Sequence, residues 1–370
     1  MISTIIIFLL VLTLLIAVHE LGHFLACKLF GVRVDEFAIG FPPRLFSRMV
    51  GKTRFALNLV PLGGYVKIHG ENPEDSLTSD SILAKPKWQQ VVVLIAGVTF
   101  NIILAYIFLV ATLVIGTKVS VDTFPGEVIS NPKLIITMVA PGGPAELIGI
   151  KAGDEILSIS NSKELFASTS ISVLNVQKTI SSAEGSVSMT VKRVSEIQST
   201  TTDQGIAFNF VPTTGLVQGK KAAGISMDMI GDARIGLFKS FYYAGIQTYN
   251  LTENITVGLS KFIGSIFVGK GSLKEVTGPV GIASVVGNSA KTGVADLLMI
   301  IAVISANLAV INMVPFPALD GGRVVVVIIE AIIRRPISPK IIGWVNGLGF
   351  IALILLMVVV TFKDVFYMFK

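Results

Sequence analysis

The chain has 370 residues, of which 52% are hydrophobic and 15% charged, and its mean hydropathy is +0.76. An average soluble domain carries roughly 25% charged residues, so a water-soluble globule is excluded and much of the surface is expected to meet a lipid bilayer. The net charge of +6 lies beside apolar runs, without the basic stripe and interleaved aromatics of a nucleic-acid binder, and the single cysteine, Cys27, excludes an intrachain disulfide scaffold and a Cys-rich zinc module.

A transmembrane helix needs about 20 mostly apolar residues. The first qualifying run extends from Ile2 to about Phe30. It has no basic residue ahead of it and no small-residue cleavage site behind it, so it reads as a span and not as a signal peptide. The region 31–90 is polar and basic; within it, Arg54 to Ile68 reads as two short strands joined by Pro61-Leu62-Gly63-Gly64. The second span covers 91–116. From 117 to about 225 the pattern is one of short strands, with period-two alternation at Val187 to Val191 and at Ile206 to Phe210. The stretch 226–293 is expected to be an amphipathic helical linker, in which about 235–268 is either a packed helix pair or a helix lying on the bilayer surface. The third span falls within 294–334, broken by Pro315 and Pro317, and the fourth covers 341–362.

Nine lysines and arginines occur from Lys28 through Lys87, and Arg334, Arg335 and Lys340 lie between the last two spans. The positive-inside rule puts both segments in the cytoplasm, with both chain ends and the 117–292 region outside it.

The chemistry is concentrated in two places. His19-Glu20-Leu21-Gly22-His23 fits H-E-x-x-H. On a helix, positions four apart share a face, so two imidazoles can converge on one zinc, with Glu20 beside them to take a proton from water. Ionisable residues inside a span cost about 2.5–3.5 kcal/mol each on insertion scales, and three within five positions point to a use. Two of the chain's three histidines are here; the third, His69, reads as a solvated loop residue. A catalytic zinc commonly has three protein ligands and an open position. The best third ligand is Asp320, in Asn312-Met313-Val314-Pro315-Phe316-Pro317-Ala318-Leu319-Asp320-Gly321-Gly322, where prolines break the helix and glycines permit close backbone approach. The alternative for Asp320 is a helix N-cap.

An intramembrane H-E-x-x-H followed by N-x-x-P-x-P-x-L-D-G in the third span resembles the site-2 protease family of M50 intramembrane zinc metalloproteases, and within it the bacterial regulator of sigma-E type. The resemblance covers nearly the whole chain. It implies a mainly α membrane protein with four transmembrane helices, a membrane re-entrant β-hairpin at 54–68 and an extracytoplasmic PDZ domain of mixed α/β structure, in the bacterial inner membrane. The run from Pro141 to Ile156 resembles a PDZ domain, which binds peptide termini by strand addition. Only one such signature is evident, where some family members have two. Gly278-Pro279-Val280-Gly281-Ile282-Ala283 is similar to the family segment before the third span.

The resemblance implies one Zn2+ held by His19, His23 and Asp320, with Glu20 as general base. Substrate contacts are implied for Asn312, and more weakly for Asn307; the hairpin edge at Gly64, Tyr65, Val66 and Lys67 would pair with an unwound substrate strand. The implied substrates are single-span membrane proteins such as anti-sigma factors or remnant signal peptides, cut toward the cytoplasmic side. Two other classes stay open on the residues alone. One is a non-proteolytic membrane scaffold that captures peptides through its PDZ domain. The other is a transporter, which predicts inverted repeats that the sequence lacks.

Overall fold

The computed structural model describes residues 2–71, 78–124, 127–167, 170–193, 205–217, 220–269 and 276–368. In chain order the elements are α1 (Ile2–Leu29), β1 (Val34–Val50), β2 (Thr53–Ile68), α2 (Lys87–Ile115), β3 (Thr117–Ser120), β4 (Ser130–Val139), α3 (Pro144–Leu147), β5 (Glu155–Ser160), β6 (Leu165–Ala167), α4 (Val173–Ser181), β7 (Val187–Lys192), β8 (Ile206–Phe210), β9 (Thr213–Val217), β10 (Lys220–Ala222) and β11 (Ile225–Ala233). They continue with α5 (Leu237–Phe267), α6 (Pro279–Thr292), α7 (Val294–Asn312), α8 (Asp320–Ile333) and α9 (Pro339–Met368). Two compact units result: Met1–Ile115 with Gly236–Lys370, and Gly116–Ile235.

Among the described residues of the first unit, four helices are long and apolar enough to cross a membrane: α1, α2, α7 and α9. The 14 residues of α8 reach only about 21 Å at 1.5 Å per residue, short of the roughly 30 Å hydrocarbon core. Helix α2 is the hub, packing on α1, α5, α7 and α8. Its approach to α1 is set by glycine: a Cβ on Gly22 would lie 2.8 Å from the Ala96 carbonyl carbon. With no hydrophobic force between helices inside lipid, such small residues let backbones come into van der Waals range. After α7 the chain folds back on itself, and a Cβ at Gly321 or Gly322 would strike the backbone of Met313 or Phe316. Glu330 on α8 is buried and ion-paired with Lys87 on α2 at 2.7 Å. At the other end, the buried Asp364 of α9 accepts a hydrogen bond from the Gly281 backbone N–H at 2.9 Å. It thereby caps α6, whose own N-cap, Gly278, has no side chain to offer. A Cβ on Gly278 or Gly281 would meet this carboxylate, which accounts for the glycines of the G-P-V-G segment.

Strands β1 and β2 do not form the simple 54–68 hairpin expected from sequence. Residues 53–57 and 64–68 are two strand segments, but they do not pair with each other. Residues 34–39 lie between them: Glu36 to Ile39 pairs with Lys67 back to Gly64 on one side and with Arg54 to Leu57 on the other. Residues 44–50 then cover the far side of 53–58. The segment 64–68 is therefore an edge. The buried Glu36 carboxylate ties the layers together, accepting from Arg44 at 2.6 Å and from the Tyr65 hydroxyl at 3.0 Å.

His69 is buried, not solvated, and its ring nitrogens face Asp35 Oδ2 at 3.3 Å and Thr78 Oγ1 at 3.1 Å. Within the linker, the stretch expected at about 235–268 as a helix pair or a surface helix is a single 31-residue helix, α5, which packs on α2 and α7.

The second unit is built on one sheet of order β3-β11-β4-β5-β7-β8, with β6 beside β5 and a separate β9–β10 ribbon. Burial alternates along β7, and Val187, Met189 and Val191 meet Val176 and Ile180 of α4 in the core. Strand β11 lies beyond the boundary expected at 225 and pairs with both β3 and β4, so this unit extends to Ile235. Asp154, 1% exposed, is held in a two-pronged pair by Arg193, with Nε–Oδ1 at 2.7 Å and Nη2–Oδ2 at 2.6 Å.

Candidate metal centre

Helix α1 carries His19 and His23 one turn apart on the face that meets α2, and both are buried. The reversal after α7 brings the start of α8 to the same place. Leu319, not Asp320, occupies the N-cap position and no side chain caps α8, so the Asp320 carboxylate is free to face the imidazoles. His19 Nε2 lies 3.0 Å from Asp320 Oδ2, His23 Nε2 lies 3.4 Å from the same oxygen, and the two Nε2 atoms are 3.3 Å apart. Ligands at roughly 2.0–2.1 Å from a tetrahedral ion are separated by roughly 3.3 Å, so the triangle has the dimensions of one face of a zinc tetrahedron. Two imidazoles and one carboxylate are also a donor set zinc accepts, with a fourth position left open.

Each histidine is approached from behind by α2. His23 Nδ1 lies 2.8 Å from the Val93 carbonyl oxygen, to which it can only donate, so its Nε2 lone pair is bare. His19 Nδ1 faces the Asn101 side chain at 3.2 Å. Between them, Gly97 has no room for a side chain: a Cβ there would collide with His23 Nε2 and lie 2.8 Å from His19 Cε1.

The three candidate ligands open onto a cavity of about 150 Å³ lined also by Glu20, Tyr65, Val66, Ile68, Leu94, Glu71 and Arg323. Val66 lines the cavity together with Glu20, so the free edge of the sheet faces the site. Arg323, one turn beyond Asp320, is ion-paired with Glu71 at the cavity wall.

Of the residues singled out in the sequence, His19, Glu20, His23, Asp320, Tyr65 and Val66 come together here. Gly64 and Lys67 lie on the same edge segment but do not line the cavity. Asn312, the last residue of α7, is half-buried and away from the lining, and the Asn307 amide donates to Val303 in its own helix at 3.0 Å. Sequence reasoning missed Val93, Gly97, Asn101, Glu71 and Arg323. The available signal was spacing: Val93, Gly97 and Asn101 are four apart, on one face of an apolar helix.

A helix presenting H-E-x-x-H to a carboxylate some three hundred residues later in the chain, beside a free strand edge, is the arrangement of a zinc metallopeptidase. The chain belongs to peptidase family M50, whose profile matches residues 7–356. A protein of Clostridium perfringens named as a zinc metalloprotease is 37% identical over 95% of this chain and 96% of its own length. One from Fusobacterium nucleatum, named likewise, is 32% identical over 96% and 97%. The regulator of sigma-W protease RasP of Bacillus subtilis is 27% identical over 98% of both chains.

Proposed function

We propose that the protein is an intramembrane zinc endopeptidase of the bacterial inner membrane that performs regulated proteolysis of single-span membrane proteins. The observation that carries this reading is the 3.0–3.4 Å triangle formed by His19 and His23, on a helix able to span a bilayer, and Asp320, at the start of the short helix packed against the spans. The likeness to the regulator of sigma-W protease of Bacillus subtilis supports a protein that controls a sigma factor, such as an anti-sigma factor, as the substrate type.

A bound zinc ion would supply a Lewis acid for the scissile carbonyl and lower the pKa of water toward 7. The rest is done by the chain. Glu20 takes the proton of the attacking water as oxygen adds to the carbonyl carbon, and gives it to the leaving amine as the C–N bond breaks. A helical substrate hides its carbonyls in its own hydrogen bonds, so it must unwind, and the 64–68 edge is suited to receive it as an added strand. Tyr65 is held at that edge by Glu36. Asn312 would contact the substrate farther along, outside the cavity.

The distal part of β1 and β2 exposes Phe41, Leu45, Phe46, Met49, Leu57 and Leu59, which supports its dipping into the bilayer as a re-entrant element. The basic content of 28–87 and 334–340 supports a cytoplasmic location for that side. The 117–235 region would then be an extracytoplasmic PDZ-like unit for peptide termini. Glu20→Gln is the test. It should keep zinc and stop cleavage of a tagged single-span substrate, which then accumulates; unchanged cleavage refutes the mechanism.

A further inference from the structure

The two histidines are supported from behind in chemically different ways. The Val93 carbonyl is a backbone acceptor that cannot rotate, so His23 is fixed with its proton on Nδ1. The partner of His19 is an amide that can present either end. Asn101 is fully buried, and its backbone carbonyl is anchored by Ser305 Oγ from α7 at 2.7 Å. Its Nδ2 lies 3.2 Å from His19 Nδ1, while its Oδ1 is buried with no hydrogen-bond partner.

In this arrangement Nδ2 donates to a bare Nδ1. The single proton of neutral His19 is then on Nε2, which shares it with Asp320 Oδ2 at 3.0 Å. Such an imidazole cannot ligate through Nε2. Ligation there requires the proton to sit on Nδ1, and two N–H groups would then face each other. A half-turn of the amide removes that clash by exchanging Oδ1 for Nδ2. It leaves Nδ2 where the orphan oxygen now lies, so one unsatisfied atom replaces another, and the deciding term is the bond to His19.

We propose that Asn101 is a positioning residue whose carboxamide oxygen, turned toward His19 Nδ1–H, selects the imidazole tautomer that binds zinc. The Asn101–His19 link is thus reversible, whereas the Val93–His23 link is permanent. This rests on the metallopeptidase reading above. Removing an outer partner of a ligating histidine typically weakens metal binding 10–100-fold.

The test is zinc affinity by chelator competition on the full-length protein in detergent, alongside 15N NMR of the histidine rings. The chain's three histidines keep the spectrum simple. Asn101→Leu should bind zinc about 10–100-fold more weakly, and the zinc-loaded His19 ring should lose its protected Nδ1–H. Asn101→Asp, whose carboxylate can accept the same proton, should restore affinity to within a few-fold of wild type. Asn101→Ser, small and too short to reach His19, replaces the Leu variant if that one does not fold. Wild-type affinity in the Leu variant, or in the Ser variant where that replaces it, overturns the proposal, and so does an Asp variant as weak as Leu or Ser. If the wild-type protein itself binds no zinc, the metallopeptidase reading fails instead, so the two failures are distinct.

Discussion

Gly97→Ala asks whether α2 sets the positions of both imidazoles. The added methyl would lie 2.8 Å from His19 Cε1 and from His23 Cε1, against 3.4 Å for an ordinary contact, and closer still to His23 Nε2. The rings must therefore move by about 0.6 Å or more, or α1 and α2 must separate. Ring rotation is restricted, because His23 Nδ1 is held at Val93 and His19 Nδ1 meets Asn101. Zinc sites tolerate departures of about 0.2 Å in ligand distance, about a third of that movement. Overpacking of a tight interior costs about 1–3 kcal/mol, which corresponds to roughly a 5- to 150-fold loss of zinc affinity if the strain falls on the ligands. The assay is chelator competition on detergent-solubilised protein. Gly258→Ala on α5 serves as the control: nothing lies within 4 Å of a Cβ there, and alanine should be neutral or stabilising by up to about 1 kcal/mol. Wild-type zinc affinity in Gly97→Ala would refute the claim that α2 dictates the ligand geometry.

Val66→Pro removes a backbone N–H from the edge segment that lines the cavity with Glu20 and should lower turnover about 2- to 13-fold, as expected for loss of one strand hydrogen bond to substrate worth about 0.5–1.5 kcal/mol. Zinc content should not change, and turnover at the wild-type level would show that this edge takes no part. Arg193→Met strands the buried Asp154 carboxylate and should destabilise the 116–235 unit by about 3–5 kcal/mol. Hydrogen exchange of β5 and β7 in the full chain reads this directly; unchanged protection would mean that the pair is dispensable.

The spans and the metal-binding pattern were legible for one physical reason: ionisable side chains are conspicuous in apolar runs. His19, Glu20, His23 and Asp320 stand out because the runs that lead into them, 2–18 and 297–319, carry no ionisable residue. Asn101 stands in a similar run, but a single amide has many uses inside a bundle, and its partner comes from another helix 82 positions earlier in the chain. The arrangement of β1 and β2 was hidden for a different reason. Alternation and turn residues revealed the two strand segments within 54–68, but periodicity does not say which strand pairs with which, and 34–39 enters between them. The end of the second unit was misjudged at 225 because β11 belongs to a sheet whose partners, β3 and β4, lie about a hundred residues earlier. His69 looked solvated because its polar neighbours in sequence gave no hint that Asp35 would enclose it.

Whether His19, His23 and Asp320 together hold one zinc ion is read from the zinc content of the purified wild-type chain and of Asp320→Ala, each measured after dialysis against a weak chelator. One zinc per wild-type chain and little or none in the variant is the predicted result. Full zinc content in the variant would contradict the account.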